Sequence, residues 1–371
     1  MRVVVIGSGI GGASCAYHLA RRGAEVVVVD ANENGAATSA GAGIISPWTS
    51  RRAEEDVLAL EVRAGAYYPT LIGELAEEGE DNTSFAIVGG LVVSEDDTVL
   101  AETAERLTRR ARRWPELGEV SVLDPKEARE LFPPLAEGFG AVHVTGAGRV
   151  DGRALRAALL RAAGRHGARS VTGRAELVTT DGRVRGVVVA GERVDADAVV
   201  VAAGAWSPAV LAPLGVRPAV EPQRGQISHF GLSGTDTSAW PVVLPPSSHY
   251  LLAFPDSRVV AGATRETGSG FDYRVTAEGQ REVLDHALRV APGLGTATVI
   301  ETRVGFRPAT EDGLPVVGAL DDHPEVVLST GFGPAGLTVG PYAGRLVAQI
   351  VLGERPETEL DAVSPRRFTA R

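Results

Sequence analysis

The chain has 371 residues, 44% of them hydrophobic, and a formal net charge of −10 at pH 7. This length allows about two domains with a large core, and the composition is ordinary for a globular protein. Because the chain has no basic excess to neutralise phosphates, we exclude nucleic acid as a partner and disfavour an anionic membrane surface.

The first thirty residues predict a strand, a glycine-rich turn, a helix and a second strand. An apolar run ends at a GxGxxG motif whose glycines are Gly7, Gly9 and Gly12. Gly7 permits the tight turn, Gly9 lets the backbone approach a pyrophosphate, and Gly12 lets helix and strand pack closely. The second strand ends at Asp30, whose carboxylate is placed to accept a hydrogen bond from a ribose hydroxyl. Together these features predict a dinucleotide site.

The next segment, residues 31–50, is rich in glycine, alanine and serine. Small residues let a ligand lie against the backbone, although this composition is also typical of a flexible loop. Apolar residues at helical spacing then predict a long helix over 54–78. Arg51 and Arg52, between the two segments, are interpreted as a solvated pair, with a place at the entrance of a ligand site as the alternative.

From residue 84 the chain alternates between short strands and helices. We predict strands over 85–94 and 139–145, and helices over 97–113 and 151–166. Turn signals then indicate a hairpin or meander over 175–197.

The segment 198–207 is apolar and ends in glycine before a short helix, which is typical of a central strand in a parallel sheet. Further along, we predict a second β-rich region over 220–264, a helix over 276–290 and a strand over 299–306. The chain ends as it begins, with a strand over 326–329, a glycine-rich turn over 330–336 and a helix over 337–352.

The cysteine, histidine and serine residues that could carry other chemistry do not predict a second functional site. Cys15 is the only cysteine, which excludes an intrachain disulfide, and we interpret it as packing inside the first helix. The histidines lack ligand spacing, so no metal site is predicted. Ser207 lacks the context of a nucleophile elbow, which argues against a hydrolase. No signal peptide or long uncharged apolar run is visible, so we expect a cytoplasmic chain without a transmembrane segment.

Five segments occur in the order seen in FAD-dependent amine oxidoreductases. They are GSGIGG with Asp30, TSAGAGIISP, VVVAAGAWS, RVGFRP and TGFGPAGLTVGP. Through them nearly the whole chain resembles the family that contains D-amino-acid oxidase, glycine oxidase, sarcosine oxidase and the D-amino-acid dehydrogenases. The resemblance implies FAD, not NAD, as the cofactor.

Two β-rich segments interrupt those typical of a parallel sheet, which predicts two discontinuous domains. The resemblance agrees with this prediction and implies an α/β fold. One domain is a glutathione-reductase-type FAD-binding domain, and the other is an α+β substrate-binding domain with a large antiparallel sheet. We expect the FAD-binding domain over 1–83, 146–219 and 299–371, and the substrate-binding domain over 84–145 and 220–298.

Residues for FAD are likewise implied by the resemblance. Those for the pyrophosphate are Gly7, Gly9, Ile10, Gly11 and Gly12, and those for the adenosine ribose are Asp30 and Ala31. Those along the pyrophosphate and flavin are Thr38, Ser39, Ala42, Gly43 and Ile44, with Ala175 at the adenine and Gly204 flanking the cofactor. Those in the last glycine turn are Phe332, Gly333, Pro334, Ala335, Gly336, Leu337 and Thr338. This turn would aim backbone N–H groups and a helix N-terminus at the flavin edge that becomes negative on reduction.

The resemblance assigns the substrate carboxylate to Arg307 and Tyr250. A guanidinium fork fits a carboxylate with two parallel charge-assisted hydrogen bonds, and the tyrosine hydroxyl would contact the same group. Outside this context, a solvated or ion-paired arginine and a core tyrosine would be the expected interpretations.

Three departures from the family pattern bear on the assignment. No cysteine lies in the C-terminal third, so we expect FAD to be non-covalent unless a histidine attaches it. Pro334 stands where glycine oxidases can carry a second arginine. Lys126 is the only lysine, so a lysine route to oxygen activation is absent. The last two weaken an assignment to glycine oxidase or monomeric sarcosine oxidase.

The expected reaction is oxidation of a small amino acid, with a D-amino acid preferred. Hydride would pass from Cα to the flavin, and the imine would hydrolyse to a 2-oxo acid and ammonia, with oxygen or another acceptor taking the electrons. One alternative is a secondary amino acid such as sarcosine or proline at the same site. Others are a flavoprotein subunit of a larger amine dehydrogenase complex and an NAD-dependent dehydrogenase. The oligomeric state is left open.

Overall fold

A computed structural model describes residues 1–51 and 55–368. In these ranges the α-helices are α1 (Ile10–Arg21), α2 (Ala37–Ala40), α3 (Glu55–Glu77), α4 (Asp97–Arg113), α5 (Pro125–Leu131), α6 (Gly152–Arg165), α7 (Ser207–Leu211), α8 (Ala277–Val290) and α9 (Gly336–Val351). None of these described helices is long and apolar enough to cross a membrane.

The strands fall into four sheets within the described ranges. In chain order they are β1 (Arg2–Ile6), β2 (Glu25–Asp30), β3 (Ile44–Ile45), β4 (Ala86–Ile87), β5 (Gly90–Ser94), β6 (Val120–Leu123), β7 (Gly140–Val144), β8 (Gly148–Arg149), β9 (Arg169–Thr172), β10 (Ala175–Thr180), β11 (Arg183–Val189), β12 (Glu192–Asp195), β13 (Ala198–Val201), β14 (Val220–Gly231), β15 (Val242–Leu244), β16 (Tyr250–Phe254), β17 (Arg258–Gly262), β18 (Thr298–Thr310), β19 (Val316–Ala319) and β20 (Val326–Thr330).

The first large sheet has six strands in the order β19-β20-β13-β1-β2-β9 and is parallel except for β19. Its central strands are valine-rich and buried, as expected for strands covered on both faces. Helices α1, α3, α6 and α9 pack their apolar faces into one core on this sheet. The carboxyl ends of parallel strands lie at the same edge of a sheet, so the turn after β1 lies beside the ends of β2 and β13.

The second large sheet has eight strands in the order β18-β14-β17-β16-β15-β5-β7-β6. It is antiparallel apart from the β15–β5 pair. The longest pairing joins β14 and β18, with Gln223 opposite Arg307 and Gly225 opposite Gly305. Helices α5 and α8 cover one face of the sheet through a separate core.

Polar side chains cap several helices and so define their first residues. Asp96 caps α4, Asp124 caps α5, Asp151 caps α6 and Thr276 caps α8. Each side chain accepts a hydrogen bond from a backbone N–H group that has no partner inside its helix. These caps explain why α4, α6 and α8 begin close to the predicted positions; α5 was not predicted.

Most predicted elements are present, including the meander, which is β10-β11-β12. Glu54, where the long helix was predicted to begin, and Arg52 lie outside the described residues. The two smaller sheets are the meander and β3-β8-β4. The division into domains stays a prediction. The strand predicted over 299–306 was assigned to the FAD-binding domain, whereas β18, which contains it, pairs with β14 in the eight-stranded sheet.

Candidate active site

A cavity of about 610 Å³ lies between the carboxyl edge of the six-stranded sheet and the eight-stranded sheet. This volume is in the range of small-molecule and cofactor sites. The predicted site residues that line it are Gly7, Gly9, Ile10, Gly11, Asp30, Ala31, Thr38, Ser39, Ala42, Gly43, Ile44, Ala175, Gly204, Tyr250, Arg307, Phe332, Gly333, Pro334, Gly336 and Leu337.

Three predicted residues, Gly12, Ala335 and Thr338, are not among those that line the cavity. A Cβ atom on Gly12 would lie 1.9 Å from the carbonyl oxygen of Gly7, so Gly12 serves the packing of α1. The hydroxyl of Thr338 donates to the carbonyl of Ile44 at 3.2 Å. It therefore fixes the start of α9 to the cavity wall.

The glycine turn after β1 combines two different demands. Gly7 has φ +97°, and a Cβ there would lie 2.4 Å from the carbonyl oxygen of Ala202, so the fold itself requires glycine. Gly9 differs, because a Cβ there would meet only the Thr38 hydroxyl, at 3.3 Å. Gly9 faces the cavity, and apart from the Thr38 hydroxyl no protein group lies close to the space that a side chain would take. The absence of a side chain at Gly9 therefore leaves room for a ligand.

Asp30 is held by the same turn. One carboxylate oxygen accepts from the backbone N–H and the hydroxyl of Ser8, at 2.6 and 2.5 Å. The other oxygen accepts from the backbone N–H of Asn32 at 2.7 Å. A carboxylate has about four acceptor positions, so Asp30 keeps capacity for a ribose hydroxyl.

Arg156 is a cavity residue that the sequence analysis missed. It extends from α6, and its Nε donates to the carbonyl of Ser8 at 2.6 Å while its Nη2 donates to the Ser8 hydroxyl. This places a positive charge beside the glycine turn where a pyrophosphate is expected. The local sequence gives no signal for it, because the position depends on how α6 packs against α1.

Residues 38–44 form a second wall that is fixed by hydrogen bonds. The hydroxyl of Thr38 accepts from the backbone N–H of Ile10 at 2.9 Å. At Gly43 a Cβ would lie 1.7 Å from the carbonyl oxygen of Val150, whose own N–H donates to Gly43 at 2.8 Å. The predicted loop is therefore an ordered backbone surface against the cavity, and a glycine-lined cleft of this kind fits FAD.

Arg307 extends from β18 into the cavity. Its Nη1 donates to the carbonyl of Thr264 at 3.0 Å, and no ion pair joins it to another described residue. The neighbouring Gly225 leaves the space that the guanidinium fills, because a Cβ there would lie 2.4 Å from Nη1. Burial lowers the pKa of Arg307, although the nearby Tyr250 opposes this shift.

Tyr250 begins β16 beside Arg307. Burial raises the pKa of its phenol, while the positive charges of Arg307 and Arg265 oppose the shift. A neutral hydroxyl next to a guanidinium can donate to one oxygen of a carboxylate whose other oxygen the guanidinium binds. The structure thus brings together the two residues that were predicted for the substrate.

Arg265 is a second positive group that the sequence analysis missed. It follows β17, lines the same cavity and makes no hydrogen bond or ion pair with the described residues. Its charge acts on both Tyr250 and Arg307. A single arginine in an irregular segment gives no pattern to read, so only the fold reveals it.

Among the described residues, no group of three or more His, Cys, Asp or Glu side chains could hold a metal ion. The polar chemistry of the cavity is instead that of backbone groups at one end and guanidinium and phenol groups at the other. Such a site suits an anionic ligand beside a bound dinucleotide.

Known proteins are similar to this chain over nearly its whole length. Iminodiacetate oxidase from Chelativorans sp. BNC1 is 49% identical, with a TM-score of 0.96 and coverage of 98% of this chain and 99% of that one. Glycine oxidase from Pseudomonas putida is 31% identical, covering 96% and 95% of the two chains. D-amino acid dehydrogenase from Methylobacterium nodulans is 30% identical, covering 99% of each. The family model for FAD dependent oxidoreductases matches residues 2–350, and the chain belongs to this family of FAD-dependent enzymes.

Proposed function

We propose that the enzyme oxidises a small amino acid whose carboxylate is bound by Arg307 and Tyr250. The observation that carries this proposal is the cavity-lining guanidinium of Arg307, which donates to the Thr264 carbonyl but has no acidic partner among the described residues. A guanidinium without an acidic partner in a largely buried site is costly unless a ligand supplies the negative charge. When bound, FAD would supply the acceptor for a hydride from the substrate carbon.

The side chains around the substrate also act on its amine. Oxidation needs the neutral amine, because the nitrogen lone pair must form the carbon–nitrogen double bond. Arg307 and Arg265 place two positive charges at this end of the cavity, and such charges lower the pKa of a bound ammonium group. Binding at this site therefore favours loss of the amine proton before oxidation.

For the substrate itself we favour a secondary amino acid that carries an N-carboxymethyl group. The 49% identical relative is named as an iminodiacetate oxidase. The guanidinium groups of Arg265 and Arg307, which have no acidic partner within the described part of the chain, suit an acid-rich substrate. A D-amino acid, preferred from the sequence, is the second candidate. It is supported by the relative that is named as a D-amino acid dehydrogenase.

A substrate panel under anaerobic conditions tests these candidates, with bleaching of the flavin absorbance as the signal. We expect iminodiacetate and sarcosine to bleach the flavin fastest. Faster bleaching by D-alanine than by both secondary amines would replace the first candidate with the second. If amines without a carboxylate react as well as those with one, the carboxylate site is wrong.

The bound state of the cofactor and the electron acceptor are separate parts of the proposal. We propose non-covalent FAD, since the only cysteine, Cys15, is buried in α1. Acid precipitation should release the yellow chromophore into the supernatant, whereas colour in the pellet would show a covalent bond. Turnover of the purified chain with oxygen, compared with an artificial acceptor, separates an oxidase from a dehydrogenase or a subunit of a larger complex.

A further inference from the structure

Residues 265–275, which we call the strap, connect β17 to α8. The strap begins at Arg265, which lines the cavity beside Arg307 and Tyr250. Further along, Phe271 stacks on Trp206, a cavity residue, with ring centroids 4.8 Å apart and an interplanar angle of 18°. Phe271 also meets Phe306 edge-on at 5.3 Å. One short segment therefore contacts β18 of the eight-stranded sheet and the turn that follows β13 of the six-stranded sheet.

Arg224 on β14 holds the strap at two points. Its backbone exchanges hydrogen bonds with Glu266 at 3.1 and 2.9 Å. Its Nε donates to the Glu266 carboxylate at 2.9 Å, and its Nη1 lies 2.9 Å from the Asp272 carboxylate. The Arg224 side chain is only 9% exposed, so these partners replace water around a buried charge.

Gln226, two residues along the same strand, completes the attachment. Its Nε2 donates to the Glu266 carboxylate at 2.7 Å and to the Thr276 hydroxyl at 2.9 Å. Its Oε1 accepts from the backbone N–H of Thr276 at 3.1 Å. Glu266, near the start of the strap, and Thr276, directly after its end, are thus fixed to β14 by buried polar groups, and a network satisfied in this way specifies one position.

The same contacts keep the carboxyl groups of Glu266 and Asp272, near Arg265 in the strap, in their charged form. Burial alone would raise the pKa of Glu266, but hydrogen bonds from Arg224 and Gln226 outweigh it and hold that pKa below its usual range. Hydrogen bonds from Arg274, and then from Arg224, hold the pKa of Asp272 low as well. Both strap carboxylates are therefore charged and engaged away from Arg265, whose guanidinium has no acidic partner among the described residues.

We propose that Arg224 is a positioning residue for substrate binding. By fixing the strap and engaging both of its carboxylates, Arg224 leaves Arg265 at the cavity wall with a guanidinium free for the substrate. This inference rests on the proposed function, in which a carboxylate substrate binds at this end of the cavity.

A double-mutant cycle tests it with Arg224→Gln, Arg265→Gln and the two changes together. The readouts are KM and kcat for iminodiacetate, flavin content and thermal stability. We expect Arg265→Gln to raise KM by about 10- to 100-fold, as loss of one or two charge-assisted bonds would, with kcat within about threefold. Arg224→Gln should raise KM comparably, and the double variant should be no worse than the poorer single variant.

Arg274→Gln is the matched control. Arg274 also pairs with Asp272, but its side chain is 82% exposed and its hydrogen bonds to described residues go to Asp272, not to β14. Its loss should leave KM unchanged. If Arg224→Gln does not fold, Arg224→Lys keeps the charge without the planar fork and should raise KM by a smaller factor.

The outcomes separate the two levels of the proposal. If Arg265→Gln leaves KM unchanged, Arg265 does not bind substrate and that part of the proposed function fails. If Arg265→Gln raises KM but neither Arg224 variant does, the positioning role of Arg224 is wrong. Effects of Arg224 and Arg265 that multiply in the double variant, or a fall in kcat with unchanged KM, would also overturn it.

Discussion

The two walls of the cavity use different parts of the polypeptide. The wall at the six-stranded sheet presents much backbone through small residues such as Gly9 and Gly43, and its polar side chains include Asp30 and Arg156. The wall at the eight-stranded sheet presents Tyr250, Arg265 and Arg307. The first suits a ligand that must lie against the chain, and the second suits a small charged ligand held by functional groups. We therefore expect cofactor binding to depend mainly on positions where a side chain is absent, and substrate binding on the side chains that are present.

The largest expected effect comes from adding a side chain to the first wall. Gly9→Val should abolish flavin binding, because a β-branched side chain would stand in the cavity beside the Thr38 hydroxyl. The fold should persist, since no backbone atom lies within 4 Å of a Cβ at this position. Absorbance of the purified protein at flavin wavelengths, with circular dichroism for the fold, measures both.

Gly73→Val on α3 is the matched control, because a Cβ at Gly73 has nothing within 4 Å. It should retain full flavin content. A folded Gly9→Val protein with normal flavin would show that this turn does not cradle the cofactor.

A smaller change in the second wall should affect the substrate and spare the cofactor. In Gly225→Ala the new methyl group would lie 2.4 Å from Nη1 of Arg307, so the guanidinium must move. The end of an arginine side chain moves at little cost to stability, but a displaced fork loses a charge-assisted bond, worth about tenfold or more in KM. Steady-state kinetics and flavin content measure the two effects.

Gly231→Ala on the same strand serves as the comparison, since its Cβ would lie 3.3 Å from the side chain of Ile300, outside the cavity. Unchanged KM in Gly225→Ala would mean that the position of the Arg307 guanidinium does not matter for binding.

The smallest expected effect concerns the scaffold behind the first wall. His18 is buried on α1, with its Nε2 3.1 Å from the hydroxyl of Tyr67. Burial, and then the charge of Arg345, lower its pKa from 6.5 to about 3. Below pH 6.5 the unfolded chain therefore binds a proton that the folded chain does not. The free energy of unfolding thus decreases by about 1.4 kcal/mol for each unit by which the pH is lowered.

Denaturant unfolding at several pH values between about 4 and 7 would measure this slope. His18→Gln should reduce the slope of the free energy of unfolding against pH by about 1.4 kcal/mol per unit, which corresponds to one proton. An identical slope in the two proteins would show that His18 does not account for acid sensitivity.

The contrast between the walls also explains what the sequence could predict. Gly7, Gly9 and Asp30 are close in sequence, and each follows from the local geometry of one strand–turn–helix unit, so the spacing alone predicts them. The valine-rich strands and capped helices are likewise local signals.

Residues that depend on tertiary packing were harder to find. Arg307 and Tyr250 were predicted only through the family resemblance, because β16 and β18 are separated by α8 along the chain. Arg156, Arg224 and Arg265 were not predicted at all. Each is a single arginine whose role depends on pairing between β14 and the strap or on packing of α6, and neither leaves a periodic pattern.

The most direct measurement is anaerobic flavin bleaching by Arg307→Ala with a carboxylate substrate. Two charge-assisted bonds, each worth about 1.5–3 kcal/mol, have no replacement, so kcat/KM should fall by about two to four powers of ten with flavin still bound. Arg307→Lys should recover only part of this, since an ammonium lacks the planar fork. An amine without a carboxylate should be a poor substrate for both proteins and nearly unaffected by the change. Near-native kcat/KM for carboxylate substrates in Arg307→Ala would contradict the amino-acid assignment and make Arg307 a structural residue.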